Sequence, residues 1–209
     1  MLVFRKTPLI RIKYLFKLLL MRLYVYIRAT LKQQKMKIKI SILFIAHLFL
    51  FNLQTSAQES TTTLLENAKV KAKKEGKAVF IKFEASWCGW CHKMTKDMSA
   101  PNTKKFFEDN YIMVPIVVLE SKGKEHLENP GSTDLLKKYN GEKAGLPFWL
   151  ILDNNLEVIT DSYDSKGQNL GSPASPEELK EFIEKLKKSS SKVTEQEVVD
   201  ITKQFILKQ

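Results

Sequence analysis

The sequence predicts an α/β domain, and three observations carry that reading. Short runs rich in β-formers alternate with stretches whose apolar residues recur at helical spacing, in the order α-β-α-(α)-β-α-β-β-α-α. The only cysteines of the 209 residues, Cys88 and Cys91, are separated by two residues and stand where one such strand gives way to a helix. The charge excess of +11 lies outside this pattern: the first 57 residues hold eleven of the 34 Lys and Arg and none of the 23 Asp and Glu, so the remainder is balanced. A balanced domain offers no electrostatic argument for nucleic-acid binding, and no nucleic acid is expected as a partner.

The basic N-terminus reads as an address. Met36-Lys37-Ile38-Lys39 is a short positive segment, Ile40 to Leu53 is an apolar run broken by Ser41, His47 and Asn52, and small residues follow around Ala57. This is the layout of a secretory signal peptide over residues 36–57, with an apolar core short for a membrane span. Export to the periplasm is therefore expected; the rival is an uncleaved N-terminal anchor facing the same compartment. No cysteine lies near Ala57 to carry a lipid. Residues 1–35 precede the leader and read as translated upstream sequence ahead of a start at Met36, or else as a basic amphipathic helix on a membrane surface. Cleavage near Ala57 or Gln58 leaves about 150 residues, enough for one domain with its own core.

The mature part divides into a domain over 58–190 and a further amphipathic helix over 191–209. Leu64, Leu65, Ala68 and Ala72 mark the first helix, with Thr63 as N-cap and Gly76 as stop. Residues 77–84 form an apolar strand, expected to be buried on both faces. The helix bearing the cysteines runs from Gly89 to Met98, and Pro101 opens a further helical piece through Phe106 and Phe107. Residues 111–120 form the second strand, in which Pro115 cannot donate to a ladder and so predicts an edge. A polar loop leads to a short helix from Thr133 to Tyr139, stopped at Asn140-Gly141. Phe148–Leu152 and residues 157–161 make a hairpin around Asp153-Asn154-Asn155. Ser175-Pro176-Glu177-Glu178 opens a helix carrying Leu179, Phe182, Ile183 and Leu186, and Thr194 caps the last one, with Val198, Ile201 and Phe205 on its apolar side.

Ser86-Trp87-Cys88-Gly89-Trp90-Cys91-His92 is the chemical centre. C-x-x-C between a strand and a helix is a dithiol redox signal. A structural disulfide closing so small a loop adds little chain-entropy stabilisation, so reactivity explains the pair better than stapling. Trp87-Cys88-Gly89-Trp90-Cys91, together with Ala144-Gly145-Leu146-Pro147 ahead of the third strand, resembles the thioredoxin-like family, in particular exported bacterial members with a Trp-Cys-Gly-Trp-Cys site. The likeness spans about Leu64 to Leu186. It implies a three-layer α/β/α sandwich around a mixed sheet, a redox-active Cys88–Cys91 disulfide, and a cis proline at Pro147 packed against it.

Within that frame Cys88 is the expected attacking thiol, exposed ahead of the helix where free backbone N–H groups and the dipole lower its pKa. Cys91, one turn in, is the covered resolving thiol. Trp87, Gly89, Trp90, Leu146 and Pro147 are the expected substrate surface, with the Leu146 backbone pairing to an extended segment. Thioredoxin itself has a buried Asp six residues before the first cysteine; this chain has Lys82 there and Glu84 two residues on. These two and His92 are candidates for tuning or proton relay, with solvent-facing charges at a strand edge as the plain alternative for Lys82 and Glu84.

The expected activity is thiol-disulfide exchange on protein or small-molecule disulfides, in the reducing direction, by a monomer fed by a membrane thiol donor. No cofactor and no metal are expected. The rivals are an oxidase or isomerase, and a non-catalytic interaction module docking through the last helix. Cys91-His92 also completes C-x-x-C-H, a c-type haem attachment signature, for which Met94, Met98, Met113 or His126 would supply a distal ligand in a mostly helical fold. A zinc site from Cys88, Cys91, His92 and His126 lacks the usual two pairs at ligand spacing.

Overall fold

The alternation along the first strand, β1 (Ala78–Glu84), sets the architecture. Val79, Ile81 and Phe83 enter one apolar cluster and Phe80 enters the other, so both faces of the strand must be covered. The computed structural model describes residues 17–34, 39, 41, 58–190 and 193–207. Two units divide the chain, Met1–Ser56 and Ala57–Gln209. In the first, residues 17–34 are helical (α1) with exposed side chains. Among the described residues no helix is long and apolar enough to cross a membrane. The leader expected over 36–57 lies outside the described residues apart from Lys39 and Ser41.

In the second unit, β1 is followed by β2 (Tyr111–Val117), β3 (Phe148–Leu152) and β4 (Val158–Asp161), in the sheet order β2-β1-β3-β4. β1 pairs parallel to β2 and antiparallel to β3, and β3 pairs antiparallel to β4, so the sheet is mixed. α2 (Thr61–Glu75) and α5 (Ser132–Lys138) cover one face through Ala68, Ala72 and Leu136. α3 (Gly89–Met98), α4 (Lys104–Asn110), α6 (Pro176–Ser189) and α7 (Glu195–Phe205) cover the other. This is the three-layer sandwich expected of the chain, with its elements in the expected order. β2 lies at the edge, where Pro115 is exposed and opposite Lys82, and so removes a donor the sheet interior would need.

Several boundaries differ from the sequence reading for local reasons. Ser60, not Thr63, caps α2: its hydroxyl accepts the Thr63 N–H at 3.2 Å, while the Thr61 N–H donates to the Pro130 carbonyl at 2.9 Å and fixes the entry. β2 stops at Val117 rather than at Glu120, because Leu119 turns into left-handed backbone at φ 55°. α5 begins at Ser132 behind Gly131, whose φ is 84°.

α7 is part of the domain. Ile201 and Phe205 are buried, and the Phe205 ring lies between those of Phe107 and Phe182, at 6.1 and 5.4 Å. Its end is tied to the cysteine-bearing helix: Lys93 Nζ donates to the Phe205 carbonyl and to Asp97 Oδ2, both at 2.7 Å. Asp97 Oδ1 accepts from Gln204 Nε2 at 3.0 Å. Tyr111, Phe148 and Trp149 are core residues.

Candidate active site

Three chain segments meet at one end of the sheet. The parallel register sets Glu84 beside Val117, and the Val118 N–H donates to the Glu84 carbonyl at 2.9 Å, so residues 85–88 and 118–120 leave the sheet side by side. The antiparallel register pairs Phe83 with Phe148, which brings Leu146 and Pro147 to the same end.

Cys88 is the N-cap of α3 and Cys91 lies in its first turn; they form a disulfide. Cys88 Sγ accepts the Cys91 N–H at 3.1 Å, the role a serine oxygen plays at an ordinary helix start. A sulfur placed there faces an N–H donor and the positive end of the helix, both of which stabilise a thiolate. The sequence reading made Cys88 exposed; in the disulfide it is only 4% exposed, packed with Ala85, Cys91 and Leu146. What stands open instead is the aromatic surface around it, with Trp87 at 56% and Trp90 at 49% exposure. Gly89, the first residue of α3, has nothing within 4 Å of where a side chain would begin.

Ser86, just before this pair, is held from three sides. Glu120 Oε1 accepts its N–H at 2.5 Å and Glu120 Oε2 its hydroxyl at 2.7 Å. His92 Nε2 lies 3.0 Å from the Ser86 carbonyl, and as that oxygen only accepts, Nε2 carries the proton. His92 thus ties the loop to α3, a role its position beside Cys91 did not suggest. The neighbouring Trp87 donates its indole N–H to the Leu119 carbonyl at 2.8 Å. Burial pushes the Glu120 carboxyl up, but the two Ser86 donors, the Ser121 N–H and nearby Lys124 outweigh it and hold the group below the usual range.

Lys82 turns inward, and Glu84 stands beside it at the margin of the sheet. On Phe80's face of β1, Lys82 is buried beneath the start of α3, and its Nζ lies 2.6 Å from Glu84 Oε2. The same ammonium donates to the Thr95 hydroxyl and to the Cys91 carbonyl, the latter at 3.4 Å. The pair is asymmetric: the side chain of Lys82 is 5% exposed and that of Glu84 25%, Glu84 facing a cavity of about 260 Å³ also lined by Thr95, Met98 and Met113.

On the other side the Leu146–Pro147 peptide bond is cis. Asn169 Nδ2 lies 3.0 Å from both the Ala144 and the Pro147 carbonyls, which braces the turn from across the 167–175 loop. Among the described residues neither the N–H nor the C=O of Leu146 has a hydrogen-bond partner. Thr95, Leu119, Glu120 and Asn169 escaped the sequence reading, and Ser86 entered it only as the head of the motif; each acts through partners distant in sequence, and only the polar loop composition around Glu120 and Asn169 hinted at them. Among the described residues no group of three or more His, Cys, Asp or Glu could hold a metal ion, so the Cys88, Cys91, His92 and His126 set does not assemble. The α/β setting also removes the mostly helical surroundings that the haem reading required.

Residues 61–154 match the family model described as thioredoxin-like. None of the curated proteins compared matches the chain. Among solved structures, a disulphide isomerase from Xylella fastidiosa Temecula1 is similar at 18% identity and a TM-score of 0.40, covering 53% of this chain and 76% of that one. The oxidised C-terminal domain of DsbD from Neisseria meningitidis is similar at 19% identity and a TM-score of 0.37, covering 50% of this chain and 84% of that one. A thioredoxin from Thermus thermophilus is similar at 16% identity and a TM-score of 0.39, covering 63% of this chain and 84% of that one.

Proposed function

Over residues 61–154 the chain belongs to the thioredoxin-like family, and on that premise we propose that it is an exported thiol-disulfide oxidoreductase that reduces disulfides through Cys88 and Cys91. The observation that carries this reading is the Cys91 N–H set 3.1 Å from Cys88 Sγ at a helix start, between two exposed tryptophans. In the reduced protein the Cys88 thiolate attacks one sulfur of a substrate disulfide. A Cys88–substrate disulfide forms, and the other substrate sulfur leaves as a thiolate and takes a proton. Cys91, deprotonated, then attacks Cys88 Sγ; the second substrate sulfur leaves, and the Cys88–Cys91 disulfide remains. The substrate gains two electrons and two protons, and a dithiol donor restores the pair. Opening the disulfide frees Cys88 Sγ from Cys91, and attack on a bulky disulfide proceeds from the face bounded by Trp87, Trp90 and Leu146. The unpartnered Leu146 N–H and C=O suit an extended substrate segment.

The test uses the full chain, reduced and mixed with a model disulfide. Exchange that is lost in Cys88→Ser supports the reading; unchanged exchange in that variant refutes the nucleophile. No exchange in the wild type leaves the interaction module as the function. Direction follows from equilibration with glutathione: a potential near about −270 mV fits a reductase and one near about −120 mV an oxidant, which would reverse the proposed direction. Export is tested by sequencing the N-terminus of the protein recovered from cells. A start near Ala57 or Gln58 supports a cleaved leader, and peptides from residues 1–35 exclude a start at Met36.

A further inference from the structure

We infer that Gln58 is a modification site: once the leader is removed, it closes on its own α-amine and the chain begins with pyroglutamate. The inference rests on the cleaved leader proposed above and goes beyond it. Signal peptidase takes small residues at the cut and two before it, and Thr55-Ser56-Ala57 sets Ala57 at the cut itself. Cleavage there makes Gln58 the first residue and places its α-amine within reach of its own side-chain amide. The fold leaves that residue free and fixes the chain directly behind it. Gln58 is exposed, outside any helix or strand, at the rim of an open cavity of about 460 Å³. The Glu59 carbonyl accepts from Asn129 Nδ2 at 2.8 Å, and Glu59 Oε1 accepts from Asn67 Nδ2 at 2.9 Å. Asn129 Oδ1 in turn accepts the Val117 N–H at 2.7 Å, so the entry of the chain is tied to the end of β2. Ser60 then caps α2. Glu59 is the other residue here whose side chain has the length to close a γ-lactam as a first residue, and its carboxylate is held by Asn67.

The step needs no partner. The α-amine, with an ordinary pKa of about 7.7–8.0, is partly uncharged at neutral pH. It attacks Cδ of the amide, and holding both groups on one side chain makes the attack unimolecular. The bond from the α-nitrogen to Cδ forms and the bond from Cδ to Nε2 breaks. The proton shed by the α-nitrogen leaves with Nε2 as ammonia. Nothing is oxidised or reduced. The γ-lactam lacks the α-ammonium that an aminopeptidase grips. With an open amine, stepwise trimming would remove Gln58 and then Glu59, and with Glu59 the bonds to Asn129 and Asn67 that stand ahead of the Ser60 cap. The lactam closes that route.

The experiment is expression of the full chain in an exporting bacterium, followed by intact mass and mapping of the first peptide of the freshly recovered protein. The expected product is the chain from residue 58 less one ammonia. It should resist amine-based sequencing until pyroglutamyl peptidase removes the first residue and exposes Glu59. Gln58→Asn keeps an amide at an exposed position but could close only a strained β-lactam. It should start at residue 58 with a free amine, and an added aminopeptidase should trim it while leaving the wild type whole. A wild type that starts at Gln58 with a free amine on most chains overturns the inference and leaves the cleaved leader standing. So does a start at Glu59 or another residue near the cut. Equal trimming of the two proteins overturns the protection. A start at Met36 or within residues 1–35 defeats the leader itself, a distinct outcome that takes the inference with it.

Discussion

Glu120 grips Ser86 with both carboxylate oxygens, at 2.5 Å to the N–H and 2.7 Å to the hydroxyl, across 34 positions of sequence. The residue before Trp87-Cys88 is thus fixed by the loop that follows the edge strand, and the same loop takes the Trp87 indole through the Leu119 carbonyl. Glu120→Ala should cost about 1 kcal/mol, the low end for hydrogen bonds to a charged group at a solvated site, and should loosen Trp87. The Glu120 carboxyl is held below its ordinary range despite burial, chiefly by Ser86. A depressed carboxyl contributes stability above the unfolded value of about 4.3 and loses it as pH falls through the lower folded value. Urea unfolding between pH 7 and pH 3, followed by tryptophan fluorescence, should show an acid loss in the wild type that is reduced in Glu120→Gln. Identical acid limbs would mean that the clamp contributes nothing.

The closing helix α7 should be indispensable to the domain. Phe205 is fully buried between Phe107 and Phe182, and Asp97, also buried, is satisfied by Lys93 and by Gln204 of α7. Phe205→Ala should cost about 3–5 kcal/mol. Ending the chain after residue 190 should be worse, since it also takes the Gln204 donor from Asp97. Thermal unfolding decides: a truncated chain with the wild-type midpoint would restore the view of α7 as a docking element.

How much of this was legible followed sequence distance. The C-x-x-C turn, the Ser175 cap and the Pro115 edge are local or nearly so, and residue type determines them. The strand itself was legible, and within it residues two apart share a face, which sets Lys82 with Phe80. Whether a helix covers that face, and hence whether Lys82 is buried, depends on packing against α3 that alternation does not encode. The covering of Cys88 requires Leu146, brought over by the β1–β3 register. The run Ser60-Thr61-Thr62-Thr63 offered four capping side chains; the contact of Thr61 with Pro130, 69 positions away, is what selects Ser60. The apolar side of α7 was visible, but not what it would meet.

Tyr111 makes an alkaline prediction. Its hydroxyl is buried, 2.9 Å from Ser189 Oγ and 3.3 Å from the Leu186 carbonyl, and burial pushes its pKa up to about 12 against an opposing hydrogen bond from Ser189. A raised folded pKa means stability fully present below the unfolded value of about 10 and lost as pH rises toward the folded one. That loss amounts to about 3 kcal/mol once both states are ionised. Tyr111→Phe should cost about 1 kcal/mol at pH 7, because Ser189 keeps its bond to the Lys185 carbonyl at 2.8 Å, and should remove the contribution of this group to the loss above pH 10. Stability of both proteins from pH 9 to 12 checks it; parallel curves would exclude Tyr111 as the titrating group.

Two glycines should respond in opposite senses to the same substitution. Gly131 has φ at 84°, and a Cβ there would lie 2.7 Å from Thr61 Oγ1, which is buried and bound to the Pro130 carbonyl. Gly131→Ala combines left-handed strain with a contact that must displace a bonded hydroxyl, and should cost about 2–3 kcal/mol. Gly89 begins α3 outside the left-handed region, with nothing within 4 Å. Gly89→Ala should leave stability unchanged or raise it by about 0.5 kcal/mol, since it removes freedom mainly from the unfolded chain. The same variant also probes the exchange surface. Its N–H, near the positive end of α3, is retained, so thiolate stabilisation is unchanged, and exchange with a small model disulfide should stay within about twofold of the wild type. A drop of about tenfold confined to peptide disulfides would show that a substrate backbone passes over Gly89 at a distance only glycine permits.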